Sequence, residues 1–320
     1  MTLPGTGSAH ASLRVPVRVP LRVLSAGAIA GVALTAYAAW EARQYTLREV
    51  SIALLPVGAR PVRVLHLSDL HLTPTQSGKA AWVRDLGTLR PDLVINTGDN
   101  LAHLRAVPAV LEAMSSLLEV PGVFVFGSND YFAPVFKNPL RYLRADDGRR
   151  NTNITLPWQD LREGYLRAGW LDLTNRVDTL TVGGLRISFA GVDDPHLKYD
   201  RLERVAGPAD EGADLTLALA HAPYLRVLDQ FARDGYDAII AGHTHGGQVC
   251  LPFLGALTTN CDLDTARAKG LHRHPAHSRD GDPGSAWLHV SAGLGTSPFT
   301  QIRVACRPEA TLLTLTPRRP

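Results

Sequence analysis

The stretch AIIAGHTHGGQ, residues 238–248, sets four apolar residues directly before two histidines that are flanked by glycines. A short apolar run of this kind is typical of a buried strand. In extended chain His243 and His245, two residues apart, point to the same side, and the flanking glycines allow tight bends and close approach. Because ligands of α/β proteins bind where strands end, the stretch predicts an α/β sheet with a metal-binding edge.

Four further predicted strands end in a residue that could hold a metal ion. These are Val62–Leu67 before Asp69 and His71, Asp92–Asn96 before Asp99, Val123–Phe126 before Asn129, and Leu215–Ala220 before His221. Oxygen and imidazole ligands together suit Mn, Fe, Zn, Co or Ni. The candidate ligands are too many for one ion, so the sequence predicts two divalent metal ions that share a carboxylate. The candidates are Asp69, His71, Asp99, Asn129, His221, His243 and His245.

Strands and helices alternate through the first half of the chain, and strands dominate the second half. A first strand is predicted at Tyr45–Leu54, and helices are predicted at Gly78–Leu89 and Val107–Leu118. Three late strands are predicted to complete a second sheet: Gln248–Leu251, Trp287–Ser291 and Thr311–Leu315. Residues 137–157 and 264–286 are predicted to be surface insertions.

The composition excludes several classes of protein. A chain of 320 residues that is 45% hydrophobic and 20% charged is neither disordered nor collagen-like nor a coiled coil. Its net charge of +3 is too small to indicate a nucleic-acid partner. The three cysteines form neither a zinc-binding spacing nor a disulfide framework.

The N-terminal region contains a long apolar run. Val23–Trp40 is 18 residues without a charge, about 27 Å as a helix, and the arginines before it favour an extracytoplasmic catalytic domain. The run predicts a single-pass anchor in the cell membrane; the alternative is a signal peptide cleaved near residues 36–38. The predicted organisation is a disordered basic segment at 1–22, the anchor at 23–40, a linker and first strand at 41–60, and a catalytic domain at 61–317.

The ordered motifs of this chain resemble those of calcineurin-like metallophosphoesterases. The motifs are Ser68-Asp69-Leu70-His71, Thr97-Gly98-Asp99, Gly127-Ser128-Asn129-Asp130, His221, and Gly242 to Gln248. Gly191-Val192-Asp193-Asp194, the Gly-Gly-Gln ending and the anchor are similar to the membrane-associated bacterial branch. The resemblance implies a four-layer α/β/β/α sandwich, preceded here by one transmembrane helix, and a metal-dependent phosphoric ester hydrolase with two divalent metal ions.

The resemblance also implies a role for each motif residue. One ion would be held by Asp69, His71, Asp99 and His245; the other would be held by Asp99, an asparagine of the third motif, His221 and His243. Asp99 would bridge the two ions. Water would attack phosphorus in line, so no protein nucleophile is required.

The third motif departs from the family pattern, which is usually Gly-Asn-His followed by an acidic residue. An ungapped alignment places Ser128 at the ligand position, whereas a shift of one residue places Asn129 there, followed by Asp130. We favour Asn129, because an amide oxygen is the better metal ligand, and we assign Asp99, Asn129 and Asp130 as catalytic. The usual histidine, which the resemblance implies stabilises the phosphate, is missing; His103 and His196 are candidate substitutes.

The expected reaction is hydrolysis of a phosphodiester, diphosphate or phosphomonoester bond in a lipid-linked or sugar-nucleotide substrate. The segment Tyr131–Leu143 supplies aromatic and cationic side chains beside the site, and the resembled branch acts in envelope glycolipid metabolism. The alternatives are a degenerate metal-binding domain with little turnover and a secreted soluble phosphatase. His272, His274 and His277 are interpreted either as an accessory metal site or as part of a solvated insertion.

Overall fold

The computed structural model describes residues 21–136 and 152–319, with side chains from residue 31 onward. Helix α1 (Leu21–Glu41) forms over the apolar run at 23–40. Among the described residues, no helix is both long and apolar enough to cross a membrane. A compact unit begins at Ala38 and continues to the end of the chain. Most of the segment predicted to be disordered, 1–22, lies outside the described residues.

The described residues of the compact unit contain two six-stranded sheets, one two-stranded hairpin and five α-helices that follow α1. The helices are α2 (Ser77–Asp85), α3 (Val107–Ala113), α4 (Ser128–Tyr131), α5 (Trp158–Arg167) and α6 (Leu225–Arg233). The strands up to the middle of the chain are β1 (Thr46–Leu55), β2 (Val62–Leu67), β3 (Leu93–Asn96), β4 (Gly122–Phe124), β5 (Leu171–Asp172), β6 (Arg176–Val182) and β7 (Leu185–Gly191). The later strands are β8 (Leu215–Ala220), β9 (Ala238–Ala241), β10 (Cys250–Leu251), β11 (Gly255–Ala256), β12 (Gly270–His274), β13 (Ala286–Val290) and β14 (Glu309–Pro317).

The first sheet has six strands in the order β1-β14-β2-β3-β4-β5. Strands β2 to β5 are parallel, so β2, β3 and β4 end at the same edge. The side chains of β3 and β4 are buried on both faces, as expected of strands in a covered parallel sheet. Helices α2, α3 and α5 cover one face, where Val83, Val110 and Leu161 join a cluster with Phe124.

The second sheet has the order β12-β13-β9-β8-β7-β6, and its four central strands are parallel. Helix α6 packs on one face, where Phe231 joins a cluster with Ile239. The other face shares a hydrophobic cluster with the first sheet, which includes Val64 and Ile95 from one sheet and Phe189 from the other. The predicted mixed α/β fold is confirmed, and the two sheets pack face to face between helices.

Two of the late strands belong elsewhere than the sequence predicted. The segment Thr311–Leu315 lies in β14, which pairs with β1 and β2 in the first sheet rather than completing the second. The segment Gln248–Leu251 contributes only β10, in a two-stranded hairpin with β11. An apolar pattern predicts that a strand exists, whereas its partners are chosen by long-range packing. The predicted insertion 264–286 contains β12, an edge strand of the second sheet; residues 137–151 of the other insertion lie outside the described residues.

Two buried histidines connect the sheets. Nδ1 of His66, on β2, lies 3.0 Å from Nδ1 of His289, on β13. Nε2 of His66 lies 2.9 Å from Oγ1 of Thr97. Burial lowers the pKa of His66 well below its ordinary value and lowers the pKa of His289 to about 3. Both imidazoles are therefore neutral in the folded protein at neutral pH.

We expect this histidine pair to make the fold sensitive to acid. The folded pKa values lie below the unfolded value of about 6.5, so the unfolded chain binds the extra protons. Each buried neutral histidine therefore contributes fully to the free energy of unfolding above the unfolded pKa. As pH falls below that pKa, the contribution decreases by about 1.4 kcal/mol per pH unit for each histidine. Urea unfolding of the metal-free protein at pH 7 and pH 5 should give a smaller loss of unfolding free energy for His289→Gln than for wild type. The exposed His103→Gln variant is the control, and equal losses in all three proteins would contradict the assignment.

Candidate metal centre

Five of the predicted ligand residues adopt a left-handed backbone conformation directly after their strands. The φ angles are +52° at Asp69, +42° at His71, +57° at Asp99, +69° at His243 and +50° at His245. For residues with a side chain this conformation costs of order 1–3 kcal/mol each. Such strain persists only where the surrounding structure holds it, and it concentrates at functional sites. The repeated strained conformation therefore indicates that these strand ends form one functional site rather than a set of ordinary turns.

Two glycines let the strand ends approach closely. A Cβ at Gly242 would lie 1.8 Å from Oγ of Ser68, and a Cβ at Gly127 would lie 2.3 Å from Oδ1 of Asp99. No larger residue fits at either position without moving the site apart. Close packing against the candidate site therefore explains why glycine occupies position 242, before His243, and position 127, at the start of the third motif.

Asp69, His71 and His245 form the first group of candidate ligand atoms. The Nε2 atoms of His71 and His245 are 3.3 Å apart, and Nε2 of His245 lies 3.6 Å from Oδ1 of Asp69. Nε2 of His71 also lies 3.5 Å from Oδ2 of Asp99. Oδ1 of Asp69 is buried and has no hydrogen-bond partner. A buried carboxylate oxygen without a partner is costly, and a cation between these atoms would satisfy it.

The backbone sets the tautomer of His245. Its Nδ1 lies 3.1 Å from the carbonyl oxygen of Gly295, so Nδ1 carries the hydrogen and donates it. The lone pair is then on Nε2, which faces the first group. A hydrogen bond of this kind to the other ring nitrogen is the usual support of a metal-binding histidine.

Asp99, His221 and Asp69 form the second group. Nδ1 of His221 lies 2.7 Å from the carbonyl oxygen of Thr97 and donates to it, and its Nε2 faces Oδ1 of Asp99 at 3.5 Å. Nε2 of His243 lies 3.1 Å from the carbonyl oxygen of Asn260, and its Nδ1 faces Nε2 of His221 at 3.3 Å. Two imidazoles thus converge beside the carboxylates here as well.

The third motif divides its work between two residues. Asn129 donates two hydrogen bonds to Asp99, from its backbone N–H to Oδ1 and from its side-chain Nδ2 to Oδ2, both at 2.7 Å. The Ser128 hydroxyl lies 3.5 Å from the Asn129 amide. Asp130 does not face the cluster: its carboxylate accepts the backbone N–H groups of Gly127, Asp99 and Asn100. Asp130 is therefore placed as a positioning residue, although the sequence grouped it with the catalytic residues.

The electrostatics of the cluster favour a bound cation. Burial raises the pKa of Asp69. For His221 burial lowers the pKa, but the surrounding carboxylates of Asp99, Asp69 and Asp194 outweigh it and raise the pKa to about 9. Burial lowers the pKa of His243 and His245 to about 3, helped by the charges of His221 and Arg303 respectively. Carboxylates that draw a proton onto a buried histidine would draw a divalent ion to the same place.

A cavity of about 130 Å³ opens onto both groups. His196 lines it, with its ring centroid 4.4 Å from that of His243. His103 is exposed and accepts a hydrogen bond from the backbone of Arg105 instead. Of the two proposed substitutes for the missing histidine, the structure brings only His196 to the cavity.

The other histidine stretch has separate hydrogen-bond partners. Nε2 of His274 lies 2.8 Å from Asp229, and Nε2 of His272 lies 2.7 Å from the carbonyl oxygen of Lys269. Neither joins a group of metal-binding side chains in the part of the chain that the structure describes, and His277 joins none there either. The accessory metal site is therefore not supported.

Arg303 is a site residue that the sequence analysis missed. Its buried guanidinium donates to the carbonyl oxygens of Ala292, Gly293 and Gly295 at 2.7–3.0 Å. The same group donates to the carbonyl oxygen of His245 at 3.3 Å. Arg303 therefore fixes the loop whose Gly295 carbonyl sets the His245 tautomer. A lone arginine 58 residues from His245 carries no spacing signal, so only the folded chain reveals it.

Comparison with known proteins agrees with this geometry. The model of the calcineurin-like phosphoesterase family matches residues 62–247. The chain is 28% identical to the uncharacterized protein YpbG of Bacillus subtilis over 88% of this chain and 98% of that protein. It is 24% identical to the phosphodiesterase YaeI of Escherichia coli, over 82% and 86%. A bovine transmembrane protein with a metallophosphoesterase domain is 29% identical over 64% of this chain and 45% of that protein.

The chain belongs to the calcineurin-like phosphoesterase family. This confirms the predicted family, the enzyme class of metal-dependent phosphoric ester hydrolases and the use of two divalent metal ions.

We expect Arg303 to control metal binding without contacting the metal. In Arg303→Lys a single amine cannot reach all the carbonyl oxygens, so the Gly295 loop should loosen and His245 should lose its fixed tautomer. Loss of such a supporting partner typically costs 10–100-fold in metal affinity. Isothermal titration with Mn²⁺ should show that loss for Arg303→Lys and none for the exposed Arg307→Lys. Unchanged Mn²⁺ affinity in Arg303→Lys would contradict the proposed role.

Proposed function

We propose that these side chains form two metal sites that share Asp99, because Oδ2 of Asp99 lies 3.5 Å from Nε2 of His71 and its Oδ1 lies 3.5 Å from Nε2 of His221. The first site comprises Asp69, His71, Asp99 and His245; the second comprises Asp99, Asn129, His221 and His243. The observation that carries this proposal is the convergence of four imidazoles on buried carboxylates, including an Asp69 oxygen without a hydrogen-bond partner. When bound, two divalent ions lower the pKa of water and neutralise charge on the phosphoryl group.

The residues of the chain hold this centre in place. The carbonyl oxygens of Thr97, Gly295 and Asn260 accept hydrogen bonds from three of the imidazoles and so turn the remaining ring nitrogens inward. Asp130 fixes the backbone of Asp99, which lets one carboxylate face both groups. His196 lines the cavity where the phosphoryl group would bind.

The assignment of Asn129 rather than Ser128 leads to a ranking of variants. Asn129→Ala removes both the amide and its contact with Asp99, whereas Ser128→Ala removes a hydroxyl with only a long contact. We expect Asn129→Ala to lower turnover of bis-p-nitrophenyl phosphate with Mn²⁺ by roughly 10–100-fold or more. That is the loss typically seen when a residue that hydrogen-bonds to a metal ligand is removed. Ser128→Ala should retain most activity.

Asp99→Asn tests the whole site in the same assay. It should abolish both activity and the binding of a second Mn²⁺ ion, measured by metal analysis, while circular dichroism reports that the fold is kept. Full activity in Asp99→Asn would remove the two-metal assignment. A larger loss in Ser128→Ala than in Asn129→Ala would show instead that the ungapped alignment is correct.

We infer that the substrate is a lipid-linked phosphodiester or diphosphate. One wall of the cavity is apolar, formed by residues 132–135 and Leu197. The β10–β11 hairpin adjoins the cavity, because Ala256 lies against Gly247 and Thr258 is a lining residue. The tip of this hairpin presents Phe253 and Leu254 almost fully to solvent. Exposed apolar side chains at the rim of a site are suited to insertion among lipids. A water-soluble sugar nucleotide would make no use of that tip.

Attachment to the cell membrane through residues 23–40 stays a prediction, as does an extracytoplasmic catalytic domain. The bovine relative is named a transmembrane protein, which supports a membrane location for this chain as well. The structure places one constraint on any truncation: the Glu41 carboxylate accepts the backbone N–H groups of Ala305 and Cys306. A soluble version should therefore begin at Ala38 rather than after Glu41.

The hairpin tip distinguishes a lipid substrate from a soluble one. Phe253→Ser with Leu254→Ser removes apolar surface that contributes roughly 1.5–3 kcal/mol per side chain on burial, so turnover of phosphatidylglycerol vesicles should fall about tenfold or more. Turnover of bis-p-nitrophenyl phosphate should not change, because the tip lies outside the cavity. The matched control is Val177→Ser, an exposed apolar residue on β6. Equal effects on vesicles and on the soluble diester would argue against a lipid substrate.

A further inference from the structure

Two buried cysteines lie directly behind the His245 loop. Cys250 is 6% exposed and Cys306 is 1% exposed. The segments that carry them are paired: Val249 and Val304 form a parallel bridge, and the backbone N–H of Cys250 donates to the carbonyl oxygen of Val304 at 2.9 Å. The two cysteines are thus brought together by the fold from positions that are far apart in sequence.

The two thiols contact the same backbone atom. Cys250 and Cys306 pack with Ala292 in one small buried cluster. Their sulfur atoms lie 3.3 Å and 3.4 Å from the carbonyl oxygen of Gly246. Sγ of Cys306 also lies 3.3 Å from the carbonyl oxygen of His245. The pair therefore supports the backbone of a proposed metal ligand.

The surroundings leave this region little room to adjust. A Cβ at Gly246 would lie 2.7 Å from Sγ of Cys306 and 2.9 Å from Cβ of Ala292. Nζ of Lys269 lies 3.7 Å from Sγ of Cys306, and Nη1 of Arg303 lies 3.9 Å from it. A change in the position of either sulfur is therefore transmitted to the His245 loop and to the arginine that fixes it.

We propose that Cys250 and Cys306 form a dithiol site that a small peroxide oxidises to a disulfide. The Cys306 sulfur attacks one peroxide oxygen, which releases water and leaves a sulfenic acid. The Cys250 sulfur then attacks the sulfenic sulfur and releases a second water. Two thiols and one hydrogen peroxide thus give one disulfide and two waters, with sulfur oxidised and peroxide oxygen reduced. Dithiols reduce the bond again by exchange.

Oxidation acts on the metal centre through the loop. The disulfide removes the S–H groups that donate to the His245 and Gly246 carbonyl oxygens, and it draws the sulfur atoms closer than hydrogen-bond contact. The loop between β9 and β10 must shift, and His245 shifts with it. The oxidised protein should therefore bind metal more weakly and turn over substrate more slowly. This consequence rests on the proposed function, whereas formation of the disulfide does not.

The disulfide is tested first by its chemistry. The full-length Mn²⁺-loaded protein is treated with hydrogen peroxide and then denatured in the presence of N-ethylmaleimide, which blocks free thiols. It is digested and analysed by mass spectrometry without reduction. We expect a cross-linked peptide that joins Cys250 to Cys306, which disappears on treatment with dithiothreitol. Free thiols at both positions, or sulfinic and sulfonic acids without a cross-link, would overturn the proposal.

The consequence for the site is tested by turnover of bis-p-nitrophenyl phosphate before peroxide, after peroxide and after dithiothreitol. Wild type and Cys261→Ser should lose activity at least tenfold and recover it. Cys250→Ser should lose none, because Cys306 then lacks its partner. A loss in Cys250→Ser equal to that in wild type would assign the effect to the metal ions and overturn the switch. A wild type that forms the cross-link but shows no turnover either before peroxide or after dithiothreitol would count against the proposed function alone.

Discussion

The structure depends on bringing desolvated carboxylates and imidazoles into one buried place. The Nε2 atoms of His71 and His245 lie 3.3 Å apart beside the carboxylates of Asp69 and Asp99. In the absence of a cation such an arrangement buries negative charge and leaves Oδ1 of Asp69 without a hydrogen-bond partner, both of which are unfavourable. The two divalent ions of this family supply the opposite charge at that place. The fold therefore contains a local electrostatic cost that the metal ions offset.

The parallel strands solve the geometric part of this problem. Strands β2, β3 and β4 of one sheet and β8 and β9 of the other end close to one another, because the two sheets share a hydrophobic cluster. Each ligand segment then turns through a left-handed conformation, at a cost in local strain that burial elsewhere outweighs. The His66–His289 contact between the sheets lies in the same layer and reaches Thr97, whose carbonyl oxygen orients His221. Packing of the sheets and orientation of the ligands are thus parts of one hydrogen-bonded structure.

The candidate site could be proposed from the sequence because strand ends and ligand chemistry are both local signals. A short apolar run followed by Asp69 or His243 carries its own information, and five such ends indicate one edge of a sheet. The supporting residues give no such signal. Arg303 supports the site by donating hydrogen bonds to the carbonyl oxygens of Gly295 and His245. Asp130 supports it by accepting hydrogen bonds from the backbone N–H groups of Asp99 and Asn100. Both kinds of contact join residues that are distant in the sequence. Strand β14 was assigned to the wrong sheet for the same reason, since its partners β1 and β2 lie more than 240 residues away.

The altered third motif is best understood through Asp99. In this chain Asn129 contacts both oxygens of that carboxylate, and Asp130 holds the backbone from the other side. The motif thus retains its contacts with the proposed bridging ligand, and it lacks the histidine that the family pattern places there. His196, which lines the cavity beside His243, belongs to a different segment. A site can move a donor to a different segment more easily than a bridging carboxylate, because a donor needs only reach, whereas a bridge must satisfy two ions at once. In this chain the carboxylates and imidazoles therefore keep the pattern of the family motifs, and the departure falls on the group that would meet the phosphate.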